Sequence, residues 1–354
     1  MTSRERIKMV LEHREPDFVP IHDSPWTATI ARWHKEGLPE EIPVEEYFGY
    51  EMVILGPDLS ARFPYTVLEK NKDYILASTP DGGKIKNFRD YSTTPEIVDT
   101  YVKTKDDWLS IKKRLQPDFK RIDWVTLANR YHQAKAEGKF ICFGAGIGYD
   151  RCQGLMSSER LLLLMADDPK MARDMFETVG HLAVEVCKLM LKEGYQFDGA
   201  FLYNDMGYRS SSLFSPKMYQ DLLFETDRYI FDFFHKNGMK VFLHSCGNVK
   251  PLIPLLIGAG LDCLQPLEVK AGMDLVALKK EFGRDLSFMG GIDVRKMVDA
   301  TTNPTAIEEE IRTKFEVAKK DGGYIYHSDH SIPKNVSFSD YQKVMELVQR
   351  YGKY

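Results

Sequence analysis

His244 and Cys246 stand two residues apart in the stretch VFLHSCGNVK, and an imidazole beside a thiol is half of a zinc site. On an extended strand, residues two apart point to the same side, so this pair shares a face and Ser245 turns away. A catalytic zinc takes about three protein ligands and leaves one position open. The third ligand must come from elsewhere in the chain, with His330 the first choice and His327 the second. The plainer alternative is a strand-end histidine satisfied by a hydrogen bond, next to a small buried cysteine. Deciding between the two requires the elements that carry the pair.

Short apolar runs recur at residues 18–21, 51–56, 140–144, 199–203, 240–244, 262–265, 286–289 and 323–326, and they read as eight strands. Helical spacing follows most of them, over residues 104–115, 124–137, 165–193, 216–237, from 252 onward, and over 275–281, 304–320 and 338–351. An opening helix is capped by Thr2 or Ser3 and stopped by Pro16. Strand–helix alternation implies parallel pairing, and eight repeats point to one α/β domain over residues 1–354, a single (β/α)8 TIM barrel. The helix between the first two strands is its weakest repeat. Residues 61–90 break the pattern with β-prone runs around the turn Asp81-Gly82-Gly83, which reads as a β-hairpin insertion after strand 2.

Such barrels place their chemistry at the carboxyl ends of the strands. Those ends carry His22 and Asp23, Asp58, Tyr149 and Asp150, Asp205, His244 and Cys246, Glu268, Asp293, and His327 with His330. Carboxylates at strand ends also cap helices and form turns, so Asp58 and Asp150 read first as structural. Cys142, Cys187 and Cys263 read as small core residues, and Cys152 falls in the loop after the third strand.

The totals exclude several classes. A net charge of -4 and a pI near 6.2 give no overall attraction to nucleic acid or to an anionic membrane. No apolar run reaches the roughly 18 residues that would span a bilayer. The alternating charges of MTSRERIKMVLEH do not make a signal peptide, and five scattered cysteines do not make a disulfide framework. The expectation is a cytoplasmic enzyme with reduced thiols.

Several stretches together resemble the uroporphyrinogen decarboxylase superfamily, over nearly the whole chain. They are RERIKMVLEHREPDFVPI, YNDMGYRSSSLFSPKMYQDLLF, HSCGNV, LQPLEVKAGMD, GGID and GGYIYHSDHSIPKNVSF. The decarboxylases of that superfamily carry an Arg-Gln-Ala-Gly-Arg element after strand one and an aspartate in a Phe-Ser-Asp context after strand two. Here the first region reads PIHDSPWTATIARW and the second ILGPDLSARF, so His22, Asp23 and Trp26 stand where guanidinium forks would meet a polycarboxylate. The other branch comprises zinc methyltransferases that move methyl groups between a corrinoid protein and a thiol or similar acceptor. Their His-x-Cys at the end of strand five is met by His244 and Cys246, and their third ligand, a cysteine, falls at His330.

The resemblance to this branch implies Zn2+ on His244, Cys246 and His330, with Asp205, Glu268 and Asp293 orienting substrate or ligands. It leaves His22, Asp23, Asp58 and Tyr149 to line the substrate pocket, and it implies a corrinoid protein and a small-molecule thiol as partners. The decarboxylase branch implies a metal-free alternative, in which Asp58 or Asp205 stabilises a protonated pyrrole-like intermediate. A third expectation is a barrel that binds a corrinoid or tetrapyrrole without turnover.

Overall fold

In the computed structural model, which describes residues 1–89 and 94–354, the strands are β1 (Met52–Leu55), β2 (Val67–Lys70), β3 (Tyr74–Ser78), β4 (Lys84–Phe88), β5 (Glu96–Asp99), β6 (Phe140–Gly146), β7 (Gly199–Tyr203), β8 (Lys240–His244), β9 (Cys263–Gln265), β10 (Ser287–Met289) and β11 (Tyr324–Ile325). Seven of them form one curled sheet in the order β1-β6-β7-β8-β9-β10-β11, with every neighbouring pair parallel. Helices follow most of these strands, as the alternation requires. Among the described residues, no helix is long and apolar enough to cross a membrane.

The sheet has seven strands where eight were expected. Residues 18–21 make single bridges instead, Phe18 to Lys353 and Ile21 to Tyr326. The segment still bonds to both edge strands' neighbourhoods, with the Tyr326 amide donating to Pro20 O at 2.8 Å and the Glu51 amide to Ile21 O at 2.8 Å. Two local features break the ladder. Pro20 has no N–H to donate, and the Ile21 N–H donates to the Glu51 side chain at 2.9 Å.

The inserted region also differs from its expectation. It is a four-stranded antiparallel sheet, β2-β3-β4-β5, running to Asp99, where a single hairpin over 61–90 was expected. The expected boundary at Asp90 lies outside the described residues. β5 went unread because its four residues, EIVD, are half charged and show no clear alternation. The Asp81 carboxylate holds this sheet to the main fold, accepting from Arg151 Nη1 at 2.8 Å and Nη2 at 2.6 Å.

Alternation along the parallel strands sorts the core into two layers. Phe140, Cys142, Phe201, Phe242, Cys263, Met289 and Ile325 face inward and pack with Ile7, Val10 and Leu11 of the first helix (Ser3–Leu11). That helix is closed by the Thr2–Glu5 capping box. The outward residues Ile141, Phe143, Ala200, Leu202, Val241, Leu243 and Leu264 join the larger core beneath the covering helices. The inward layer fixes what comes next along each strand: two residues on from Phe201, Phe242, Cys263 and Ile325 stand Tyr203, His244, Gln265 and His327.

Candidate metal centre

The parallel register brings the ends of three adjacent strands level, with Tyr203 beside His244 and His244 beside Gln265. Alternation then works as expected just past the end of β8. Cys246 Sγ lies 3.4 Å from His244 Nε2, while Ser245 turns away and its Oγ accepts the Met206 amide at 2.9 Å. Asp205, two residues beyond β7, completes a cluster: its Oδ1 lies 3.5 Å from His244 Nε2 and accepts the Cys246 amide at 2.7 Å. Ligand atoms of Asp205, His244 and Cys246 all lie within 4.8 Å of one another, and all three residues are part-exposed.

Two glycines let the loops approach closely enough to build this cluster. Gly247 has φ of +75°, and a Cβ there would lie 2.4 Å from the carbonyl carbon of Gly207. The Asn248 amide donates to Tyr208 O at 2.7 Å, tying the segment after β8 to the segment after β7. Glu268 supports the same turn, accepting the Gly247 amide at 2.7 Å while Lys270 pairs with it at 2.9 Å. A cavity of about 540 Å³ opens here, lined by Gly207, Tyr208, Arg209, Cys246 and Gly247 among others.

The charges around the cluster are mainly negative. Burial pushes the Cys246 thiol up, and the Asp205 and Glu268 carboxylates add to the shift. Burial likewise raises Asp150, helped by the charge of Asp205. On the far side of His244, Nδ1 lies 2.5 Å from Gln265 Oε1, and Gln265 Nε2 lies 3.3 Å from His327 Nε2. Burial of His327 lowers its pKa, against the opposing effect of Asp23.

The remaining expected site residues are dispersed. His330 lies outside the cluster that could hold a metal ion; its ring stacks on Trp26 with centroids 6.3 Å apart. Asp205, expected to orient substrate or ligands or to stabilise a pyrrole-like intermediate, lies with His244 and Cys246 instead. His327 also lies outside, as the partner of Gln265. His22 is buried against Tyr50 and His327, and with Asp23 it lines a different cavity, of about 590 Å³. Asp23 accepts from Tyr341 Oη at 3.0 Å and from Ser328 Oγ.

Asp58 is an exposed turn residue whose Oδ1 accepts the Ser60 amide at 2.9 Å, which is the structural role its position suggested. Asp293 caps the short helix Val294–Met297 and forks onto Arg295, which holds its carboxyl low in spite of burial. Tyr149, Asp150 and Cys152 belong to a helix, Gly148–Met156, where a loop was expected. Tyr149 is buried there, bonded to Ser158 Oγ. Gln265 and Gly207 were missed. The signal for Gln265 was available, because neighbouring parallel strands of one sheet end at one level and residue 265 closes the strand next to His244.

A curled parallel sheet with helical crossovers, carrying a His-Cys-Asp cluster at its carboxyl rim, has the layout of an α/β enzyme with a strand-end site. The chain belongs to the Uroporphyrinogen decarboxylase (URO-D) family, whose profile matches residues 87–351. Among solved structures, a methyltransferase from Methanosarcina mazei is similar in fold, with a TM-score of 0.69 at 14% identity over 99% of each chain. The C-terminal domain of a putative chitinase from Desulfitobacterium hafniense DCB-2 overlaps at a TM-score of 0.43 and 8% identity, over 95% of this chain and 99% of that one. No curated protein matches the sequence.

Proposed function

We propose that this protein is a zinc-dependent methyltransferase that moves a methyl group between a corrinoid protein and a thiol or similar acceptor. The observation carrying this reading is the convergence of Asp205, His244 and Cys246 within 4.8 Å at the mouth of the fold. The donor set fits zinc, which accepts nitrogen, sulfur and carboxylate oxygen together. The electrostatics fit as well, since a thiol raised by burial and further by the neighbouring Asp205 and Glu268 carboxylates is a place where a cation relieves repulsion. His244 and Cys246 would hold the metal with Asp205, and His330 is the alternative third ligand if the loop after β11 moves inward. Zinc, when bound, would supply the Lewis acidity that makes an acceptor thiol a thiolate at neutral pH.

The chain's own residues do the rest. His244 and Cys246 fix the direction of approach, because they sit on one face at the end of β8. Glu268 and the Gly207–Gly247 contact hold the Cys246 turn in place. The cavity beside Cys246 admits a small acceptor, and the rim around it is where a corrinoid protein would dock. In this reading the whole chain is one cytoplasmic domain, and residues 18–21 serve as the eighth stave that closes the barrel.

The methyltransferase fold neighbour supports this branch at the level of architecture. The family name supports a second reading, decarboxylation of a porphyrinogen or smaller polycarboxylate without metal. Against it, the first loop brings buried His22 and Asp23 where a polycarboxylate would need guanidinium groups. Elemental analysis of purified protein separates the two, followed by methyl transfer from methylcobalamin to a thiol. The methyltransferase reading expects about one zinc per chain, lost together with activity in Cys246→Ala. Zinc near zero with porphyrinogen turnover would overturn it.

A further inference from the structure

We propose that Gln265 is a positioning residue, which through a one-way hydrogen-bond relay keeps the His244 proton on Nδ1 and leaves Nε2 bare toward Cys246 and Asp205. The inference rests on the zinc reading for its consequence, though its geometry stands apart from any metal. The relay has four members, Ser328, His327, Gln265 and His244, and its polarity is set at one end. The Ser328 carbonyl can only accept, and His327 Nδ1 lies 2.7 Å from it, so that nitrogen carries the proton. His327 is 2% exposed, and as a neutral ring it then presents a lone pair at Nε2.

Gln265 Nε2, which can only donate, lies 3.3 Å from that lone pair. Turning the amide nitrogen to His327 leaves Oε1 to face His244, and Oε1 lies 2.5 Å from His244 Nδ1. An amide oxygen only accepts, so the His244 proton is on Nδ1. In the neutral ring His244 Nε2 is then a bare lone pair, 3.4 Å from Cys246 Sγ and 3.5 Å from Asp205 Oδ1. Flipping the Gln265 amide would set its oxygen against the His327 lone pair and its N–H groups against His244. The fixed carbonyl of Ser328 disfavours that arrangement. Ser24 Oγ, 3.3 Å from His327 Nε2, can rotate to donate to the same lone pair and reinforces the direction.

The choice of glutamine follows from the surroundings. Gln265 is 4% exposed and held level with His244 by the β8–β9 register. A carboxylate there would also accept from His244, but it would add charge to a mouth that already holds Asp150, Asp205 and Glu268. A neutral amide orients the ligand without that cost.

The test uses long-range nitrogen–proton NMR of the metal-free protein with labelled histidine, the His244 and His327 signals being assigned by His244→Gln and His327→Gln. Zinc affinity is read separately by competition with a chelator. The wild type is expected to show both rings protonated at Nδ1. Gln265→Leu should release the His244 proton to a mixture of tautomers and weaken zinc binding about 10–100-fold. Gln265→Glu, which keeps an acceptor, should restore the Nδ1 proton and most of the affinity. A wild-type His244 protonated at Nε2 overturns the proposal, as does a Gln265→Leu protein with unchanged tautomer and affinity. If Gln265→Leu fails to fold, the wild-type spectrum and Gln265→Glu still decide. Should the wild type bind no zinc, the metal reading fails alone, because the apo spectra still decide the relay.

Discussion

His22 makes the acid stability of this fold predictable in sign and size. Its Nδ1 is buried without a hydrogen-bond partner, and its ring meets Tyr50 edge-on with centroids 5.6 Å apart. Burial, reinforced by His327 and Lys139, lowers its pKa from 6.5 to about 3. The folded protein therefore refuses a proton that the unfolded chain accepts below pH 6.5. The stability this contributes is intact above that value and is lost as pH falls from 6.5 toward 3. At pH 5 the unfolded chain is favoured by about 1.5 pH units of proton uptake, or about 2 kcal/mol.

His22→Phe keeps a ring against Tyr50 and removes the titration. Urea unfolding of both proteins at pH 7 and pH 5 isolates the effect, since the other titrating groups are shared. Between those pH values the wild type should lose about 2 kcal/mol more than the variant. Equal losses in the two proteins, or an NMR titration placing His22 near its ordinary value, would refute the reasoning.

Gly247→Ala should destabilise the protein by at least about 2 kcal/mol in urea unfolding and reduce bound zinc. The reason is that its φ of +75° is strained for alanine and the new methyl meets the Gly207 backbone. An unchanged midpoint and full zinc would show that the two turns are free to separate. The Arg151–Asp81 fork should show a coupling of about 1–3 kcal/mol in a double-mutant cycle with alanine at each position. Additive single effects would mean that the inserted sheet is held to the main fold by other contacts.

Seven of the eight apolar runs are strands of one parallel sheet, and the Gly199–Tyr203 and Lys240–His244 boundaries agree at both ends. Such runs are legible because strands buried on both faces must be continuously apolar, whatever they pack against. The same holds for the pairing of His244 with Cys246, which needs only the two-residue repeat of an extended chain. The run at 18–21 looked like its neighbours, and its difference came from Pro20 and from a side-chain acceptor, Glu51, thirty residues away. The single helix expected at 216–237 is two, Pro216–Leu222 and Phe224–Lys236, and 165–193 likewise spans a break at Asp168. Apolar periodicity runs through a short break without losing its phase, so spacing does not reveal it.

What the sequence by itself determined is the order of strands and helices, the family, and one half of the candidate centre. Those depend on local repeats and short motifs. The tertiary structure brings Asp205, distant in sequence, up to His244 and Cys246. Asp205 and His330 both follow strand ends, and the motif resemblance ranked His330 first as a ligand. β7 is the direct neighbour of β8 in the sheet and β11 is three strands away, so the parallel register sets Asp205 against the Cys246 amide. The same register set Gln265 beside His244. Adjacency between strands is a property of the assembled sheet, and residues distant in sequence become a site only once it has formed.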